Sequence, residues 1–210
     1  MKLISVLSVL VLGGLAMGSF DADAATSAAT SAATSSDKAK TTVAVKGAED
    51  VAVLKTSLGT IVFRFNDKDA PGHVANFKQL ATAKFYDGTT FHRVIPGFMI
   101  QGGDPNSKDA DRGNDGLGGS GKNVPAEFNA NKHLRGTVSM ARALDPNSAS
   151  SQFFICVRPQ PTLDNKYSVF GQVIEGIEVV DKVVAVPRDA RDNPIDKVVM
   201  EKVTMEKRKL

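Results

Sequence analysis

The sequence predicts a mainly β domain, a closed β-barrel with α-helices covering its ends. Short apolar runs recur along the chain, and Gly, Pro, Asn or Asp bounds most of them, which is typical of strands joined by turns. Only two segments carry apolar residues at helical spacing. Many short strands with only two helices favour a barrel, in which closure also removes exposed sheet edges.

A β-hairpin opens the domain. Residues 51–56 and 60–65 are rich in apolar and β-branched residues, and they flank a short turn that contains Gly59. Further strands are predicted in the other apolar runs. These runs include residues 91–95, 98–100, 137–141, 153–157, 168–173 and 198–205.

A first helix follows the hairpin. Pro71 suits the first helical turn because it has no N–H to leave unpaired, and Asp69 is the candidate N-cap. Apolar residues then recur at helical spacing until Gly88 marks a turn. They are Val74, Phe77, Leu80 and Ala81.

A second helix is predicted near the end of the chain. It covers residues 176–184, where apolar and polar residues alternate with a helical period. The spacing places Ile177, Val180 and Val184 on one face, which we expect to pack on the barrel.

The beginning of the chain has the three parts of a secretory signal peptide. Lys2 supplies the positive start, residues 3–16 form an apolar stretch, and Ala22-Asp23-Ala24 is a small-x-small cleavage pattern. The stretch is shorter than the roughly 20 apolar residues that span a membrane, so we predict cleavage rather than a stable membrane anchor. An uncleaved anchor stays open as the alternative. No cysteine lies directly after the stretch, which argues against a lipoprotein.

A low-complexity segment separates this leader from the domain. It is rich in Ala, Thr and Ser and has no large apolar side chain in its first part, so burial cannot offset its ordering entropy. We therefore divide the chain into a signal peptide (1–24), a flexible tether (25–46) and a folded domain (47–210).

Charge and cysteine content argue against other classes. The net charge is +3, and a nucleic-acid surface would need a basic stripe with aromatic partners, which is absent from the sequence. Cys156 is the one cysteine, so no intramolecular disulfide can form. It lies in an apolar strand, where a thiol is inert.

Three motifs of familiar site chemistry are incomplete. Residues 116–122 fit the start of a phosphate-binding loop, but Asn123 replaces the required Ser or Thr and Pro125 prevents the helix that should follow. His73, His92 and His133 lack metal-ligand spacing, so we predict no metal site. The serines at 139, 150 and 151 lie in no nucleophile elbow, which argues against a serine hydrolase.

Residues 91–104 (FHRVIPGFMIQGGD) are the most informative stretch. They predict two short strands joined across Pro96-Gly97, with Arg93 and Gln101 among large apolar side chains. A guanidinium in such surroundings is unfavourable unless it faces a wet cleft or a partner. The alternative is that Arg93 only braces the barrel through a carboxylate.

Together with four later segments, residues 91–104 resemble the signature sequences of the cyclophilins. The segments are residues 139–143 (SMARA), 151–155 (SQFFI), 163–164 (LD) and 169–173 (VFGQV). The resemblance runs from about Val51 to the C-terminus. It implies an eight-stranded antiparallel barrel capped by two helices, and a peptidyl-prolyl cis-trans isomerase that needs no cofactor. It also implies proline-containing polypeptides as partners.

The resemblance also implies a role for each site residue. Arg93 matches the catalytic arginine, and Gln101 and Gln152 match polar groups that orient it and the substrate backbone. The remaining matches are substrate-binding. The walls of the proline pocket are matched by Phe98, Met99, Phe154 and Leu163. A strand that lines the substrate groove is matched by Ala141, Arg142 and Ala143, and Gly116 lies nearby. Tyr167 stands at a position where well-known members have histidine.

Two other functions stay open at this point. One is a non-catalytic chaperone that binds proline peptides, and the other is a structural surface protein held by the tether. The presence of Arg93 and Gln101 argues against the first, and the lack of an anchor signal argues against the second. From the family resemblance, we expect a monomer in the periplasm, with secretion as the second choice.

Overall fold

The computed structural model describes residues 47–210, and the predicted signal peptide and tether lie outside the described residues. The described chain is mainly β, with eight strands and two α-helices. The strands are β1 (Ala48–Thr56), β2 (Gly59–Phe65), β3 (Arg93–Ile95), β4 (Met99–Gly102), β5 (Thr137–Met140), β6 (Phe153–Cys156), β7 (Val169–Glu175) and β8 (Met200–Lys209). Among these residues, no helix is both long enough and apolar enough to cross a membrane.

All eight strands belong to one antiparallel sheet, in the order β3-β4-β6-β5-β7-β2-β1-β8. The edge strands β3 and β8 do not pair with each other within residues 47–210. The segment before β3 instead makes an isolated bridge, Thr90 with Val199, near the start of β8. The hydrogen-bonded ladder is therefore open at this seam, and the closed barrel stays a prediction.

Helix α1 (Pro71–Thr82) begins with Pro71, as predicted, but its predicted cap is wrong. The N-cap position is Ala70, and no side chain caps from there. The carboxylate of Glu127 accepts hydrogen bonds from the N–H groups of Gly72 at 2.8 Å and His73 at 2.9 Å. A carboxylate at this end of a helix also interacts favourably with the helix dipole.

Helix α2 (Ile177–Val184) starts after Gly176, which has a φ of +79°. A Cβ at Gly176 would lie 2.1 Å from the carbonyl oxygen of Thr60, so the helix can pack this closely only with glycine. The buried side chains are Val179, Val180 and Val183. The predicted face is therefore rotated, because Ile177 and Val184 are only partly buried.

Strand alternation separates two apolar clusters. Ile100 and Ile155 point into the main core, which also contains the aromatic rings of β2, α1 and β7. Their neighbours Met99, Phe154 and Cys156 point the other way and form a second, smaller cluster. This second cluster carries the candidate site, so the site rests on the outer face of β4 and β6.

Candidate active site

The pairing of strands β3, β4 and β6 places the predicted polar side chains beside the apolar ones. Arg93 on β3 is paired with Gln101 on β4, and Gln101 is paired with Phe154 on β6. Directly paired residues of antiparallel strands share a face, so these three side chains point the same way. The arrangement needs no long loop, because the three strands are adjacent in the sheet.

An open cavity of about 160 Å³ lies over this row. Met99 and Phe154 form its buried floor, and the other apolar lining residues are half-buried. Tyr167 meets the ring of Phe154 edge-on, with the ring centres 5.7 Å apart. The lining residues are Arg93, Phe98, Met99, Gln101, Ala141, Arg142, Phe154, Leu163 and Tyr167. An apolar pocket with a few polar groups is typical of a ligand site.

A second cavity of about 250 Å³ adjoins the first, because Gln101, Ala141 and Arg142 line both. Gln101 donates to Gln152 at 2.8 Å, and Gln152 donates to the carbonyls of Gly116 and Gly118 at 2.9 and 2.8 Å. The further lining residues are Gly116, Leu117, Gly118, Ala143, Ser148, Ser150 and Gln152. All twelve residues predicted for the site therefore line one or both cavities, while their roles stay predictions.

Two amides of the glycine-rich loop that resembles a phosphate loop are used within the protein. The N–H of Gly116 donates to the Asp104 carboxylate, and the N–H of Ser120 donates to Ser150 Oγ at 2.9 Å. A phosphate cradle requires free amides directed at the ligand. The loop instead forms one wall of the second cavity.

Asp192 is the carboxylate nearest to Arg93 among the described residues, and no motif in the sequence indicates this contact. Its Oδ2 lies 4.0 Å from Arg93 Nε, and the N–H of Val94 donates to the Asp192 carbonyl at 2.8 Å. Arg188 also donates to the Val94 carbonyl at 2.9 Å, which ties this loop to β3. The bracing role considered for Arg93 thus has a partner. The contact is long, however, and the Arg93 side chain stays 45% exposed and lines the first cavity.

His133 supports the apolar wall from behind. Its ring stacks on Phe154, with centres 6.0 Å apart and an angle of 12° between the planes. Its Nδ1 lies 3.1 Å from Asp164 Oδ1 and its Nε2 lies 3.2 Å from Ser139 Oγ. Burial lowers the pKa of His133, although Asp164 opposes this shift.

The contacts of Ser139, His133 and Asp164 have the connectivity of a hydrolytic triad. Ser139 is fully buried, however, and its Oγ donates to the Ser168 carbonyl at 3.0 Å. A nucleophile must reach the substrate and transfer its proton to the histidine. These three residues are therefore a buried support for the cavity wall.

Known proteins are similar to this chain in sequence. The family model "cyclophilin type peptidyl-prolyl cis-trans isomerase/CLD" matches residues 51–205. A peptidyl-prolyl cis-trans isomerase of Synechococcus elongatus is 54% identical over 121 residues, which is 58% of this chain and 78% of the relative. A probable peptidyl-prolyl cis-trans isomerase of Brucella abortus is 43% identical over 147 residues, covering 68% and 75%.

A solved structure is similar as well. It is a Cryptosporidium parvum cyclophilin type isomerase in the presence of the dipeptide Ala-Pro, with a TM-score of 0.68 and 32% identity. The match covers 74% of this chain and 98% of that one. With this fold and this site, the chain belongs to the cyclophilin-type peptidyl-prolyl cis-trans isomerase family. It is an enzyme of that class, which catalyses rotation about X-Pro bonds.

Proposed function

We propose that the first cavity binds the proline ring of a polypeptide client and that Arg93 accelerates rotation about the preceding peptide bond. The observation that carries the proposal is the half-exposed guanidinium of Arg93, which lines the same cavity as Phe98, Met99 and Phe154. The apolar residues suit the ring, and the guanidinium is a donor beside it. The dipeptide named with the similar Cryptosporidium structure supports a proline-containing ligand.

The reaction needs little chemistry beyond binding. Amide resonance sets a barrier of roughly 18–20 kcal/mol, and the uncatalysed X-Pro rotation takes tens to hundreds of seconds. No covalent bond breaks, so the enzyme needs only to bind the twisted amide better than either planar isomer. A nucleophile is not required.

Arg93 can supply this differential binding. In the twisted amide the proline nitrogen regains its lone pair and becomes a hydrogen-bond acceptor. A hydrogen bond from a guanidinium is charge-assisted, and one formed only in the transition state lowers the barrier. The apolar walls exclude water around it, which strengthens the interaction. In this proposal, Gln101 and Gln152 hold the polar side of the cavity in place through their mutual hydrogen bond.

Kinetics of Arg93 variants test the role. We expect Arg93→Ala to lower kcat by on the order of 100-fold, by analogy with the loss of one transition-state donor, and to change KM much less. Arg93→Lys should recover only part of the activity because its donors have a different geometry. Arg64→Ala, at an exposed position on β2 away from the cavities, is the matched control. A rise in KM with kcat intact would assign Arg93 to ground-state binding alone.

We further propose that the enzyme is exported and assists the folding of exported proteins in the periplasm, as a monomer without a stable membrane anchor. The leader over 1–24 supports this proposal. Mass spectrometry of protein from the native host should find an N-terminus near Ala25 in the periplasmic fraction, with the medium as the second choice. An intact Met1 form in the cytoplasm would contradict it.

A further inference from the structure

A third cavity, of about 230 Å³, lies beside Arg93 and has no role in the proposed mechanism. Arg93 lines both this cavity and the first one, and Gln101 lines all three. The three cavities therefore meet at Gln101. The lining residues of the third are His92, Arg93, Gln101, Arg112, Asp115, Gly116, Arg191 and Asn193.

The lining of this cavity is positively charged. Three arginines face a single carboxylate, Asp115, which accepts a hydrogen bond from Asn193 at 2.6 Å. Arg112 is fixed in place, because it donates to Asn193 Oδ1 at 2.7 Å and to the carbonyls of Pro194 and Ile195. Two further carboxylates lie outside the lining, Asp192 at 4.0 Å from Arg93 and Asp189 at 4.0 Å from Arg191. The lining itself carries three positive charges and one negative charge, and such an excess in a cleft favours ligands of the opposite sign.

Arg191 has donor capacity left for a ligand. Its Nη2 donates to the Arg112 carbonyl at 2.9 Å, and its Nε lies 4.0 Å from Asp189. A guanidinium has five N–H donors, so this use leaves others free. The side chain is 58% exposed, and a ligand in the cavity can reach it.

His92 supplies a second, independent observation. It is only 4% exposed and lines the cavity. Within the part of the chain that the structure describes, neither ring nitrogen makes a hydrogen bond of good geometry, although the Thr90 backbone and the Gln152 side chain lie close to the ring. Buried polar groups are nearly always paired, so ring nitrogens that line a cavity without well-formed bonds are available to a ligand. Burial lowers the pKa of His92, against the opposing effects of Asp104, Asp115, the Thr90 backbone and the Gln152 side chain. A neutral imidazole ring offers one donor and one acceptor.

We propose that the third cavity is an anion-binding subsite that takes an Asp or Glu side chain close to the proline of the client. The proposal rests on the proposed function, which places the ring in the first cavity. A bound chain runs past the ring in both directions, and it advances about 3.4 Å per residue when extended. A side chain one or two residues from the proline can thus enter the third cavity on one side, where Arg191 and His92 contact its carboxylate.

The test uses the full-length protein and capped peptides that contain one proline. Each peptide carries one Glu, or Gln as its uncharged isostere, placed one or two residues before the proline or one or two residues after it. NMR exchange spectroscopy measures the catalysed isomerisation without a coupling protease. We expect Glu to raise kcat/KM over Gln by about threefold to fivefold on one side of the proline only, as for a partly exposed ion pair. The gain should vanish in about 0.5 M salt.

Variants assign the effect to the cavity. Arg191→Gln should bring the Glu-to-Gln ratio close to one, Arg191→Lys should keep part of it, and the exposed Arg64→Gln should leave it unchanged. Equal gains on both sides, no gain on either, or a gain that survives Arg191→Gln would each overturn the subsite. Turnover of the Gln peptides tests the proposed function separately, and peptide affinity from NMR titration gives the ratio even without turnover.

Discussion

The guanidinium of Arg142 joins two loops that border the candidate site. It donates to the carbonyls of Ala143 at 2.8 Å, Leu144 at 3.2 Å and Lys166 at 3.1 Å. It also lies over the Tyr167 ring, 4.7 Å from the ring centre. Lysine could not reproduce this planar set of donors together with the stacking. The side chain of Arg142 thus shapes the wall between the first two cavities.

Cys156 lies behind the same site without taking part in it. Burial, reinforced by the nearby Asp164, raises the pKa of its thiol to about 12. The thiolate is the reactive form, so the thiol is inert at neutral pH. Cys156 packs with Met99 and Phe154 in the second apolar cluster. The prediction that Cys156 is buried is confirmed.

At the scale of elements, the N-terminus of α1 depends on a residue distant in the sequence. We expect Glu127→Gln to lower the free energy of unfolding by about 1 kcal/mol, because it removes the charge that caps two backbone N–H groups. Urea denaturation measures the change.

Asp69 provides the control for this prediction. Its carboxylate accepts from Asn131 at 2.7 Å on the surface and does not cap the helix. Asp69→Asn should therefore lower the free energy of unfolding by less than about 0.5 kcal/mol. An equal loss in the two variants would mean that the carboxylate of Glu127 has no special role at α1.

At the scale of the whole molecule, three buried histidines make stability depend on pH. Burial lowers the pKa of His73, His92 and His133 below 6.5 in the folded protein, while nearby carboxylates oppose the shift. Between the folded and unfolded pKa values the unfolded state binds more protons. The free energy of unfolding should therefore fall as pH drops below about 6.5, by at most about 1.4 kcal/mol per pH unit for each histidine.

The carboxylates act in a different pH range. Asp50, Asp181 and Asp189 have pKa values lowered from 3.8 by hydrogen bonds, so their stabilising contribution is lost only at pH values near and below that value. Urea denaturation from about pH 7.5 to about pH 5 thus reports the histidines. NMR titration of the three rings checks the assignment. Constant stability over this range, or histidines that titrate near 6.5, would contradict it.

The sequence by itself determined the elements and the composition of the candidate site. The apolar runs on either side of Pro96-Gly97 predict two adjacent strands, and paired strands bring Arg93 and Gln101 to one face. Pro71 marks the start of α1, and the hairpin around Gly59 forms with strands close to the predicted ones. These features follow from period, turn chemistry and contiguous motifs, which are local properties of the chain. The signal peptide and tether stay predictions.

Only the tertiary structure decided which distant residues meet. Glu127 caps α1, Asp192 lies beside Arg93, and loops far apart in the sequence bring Arg112 and Arg191 into one cavity. The predicted face of α2 was right for Val180 and wrong for Ile177 and Val184, because packing buries Val179 and Val183 instead. None of these contacts has a local signal, since each depends on packing between segments whose separation in the sequence says nothing about their distance in space.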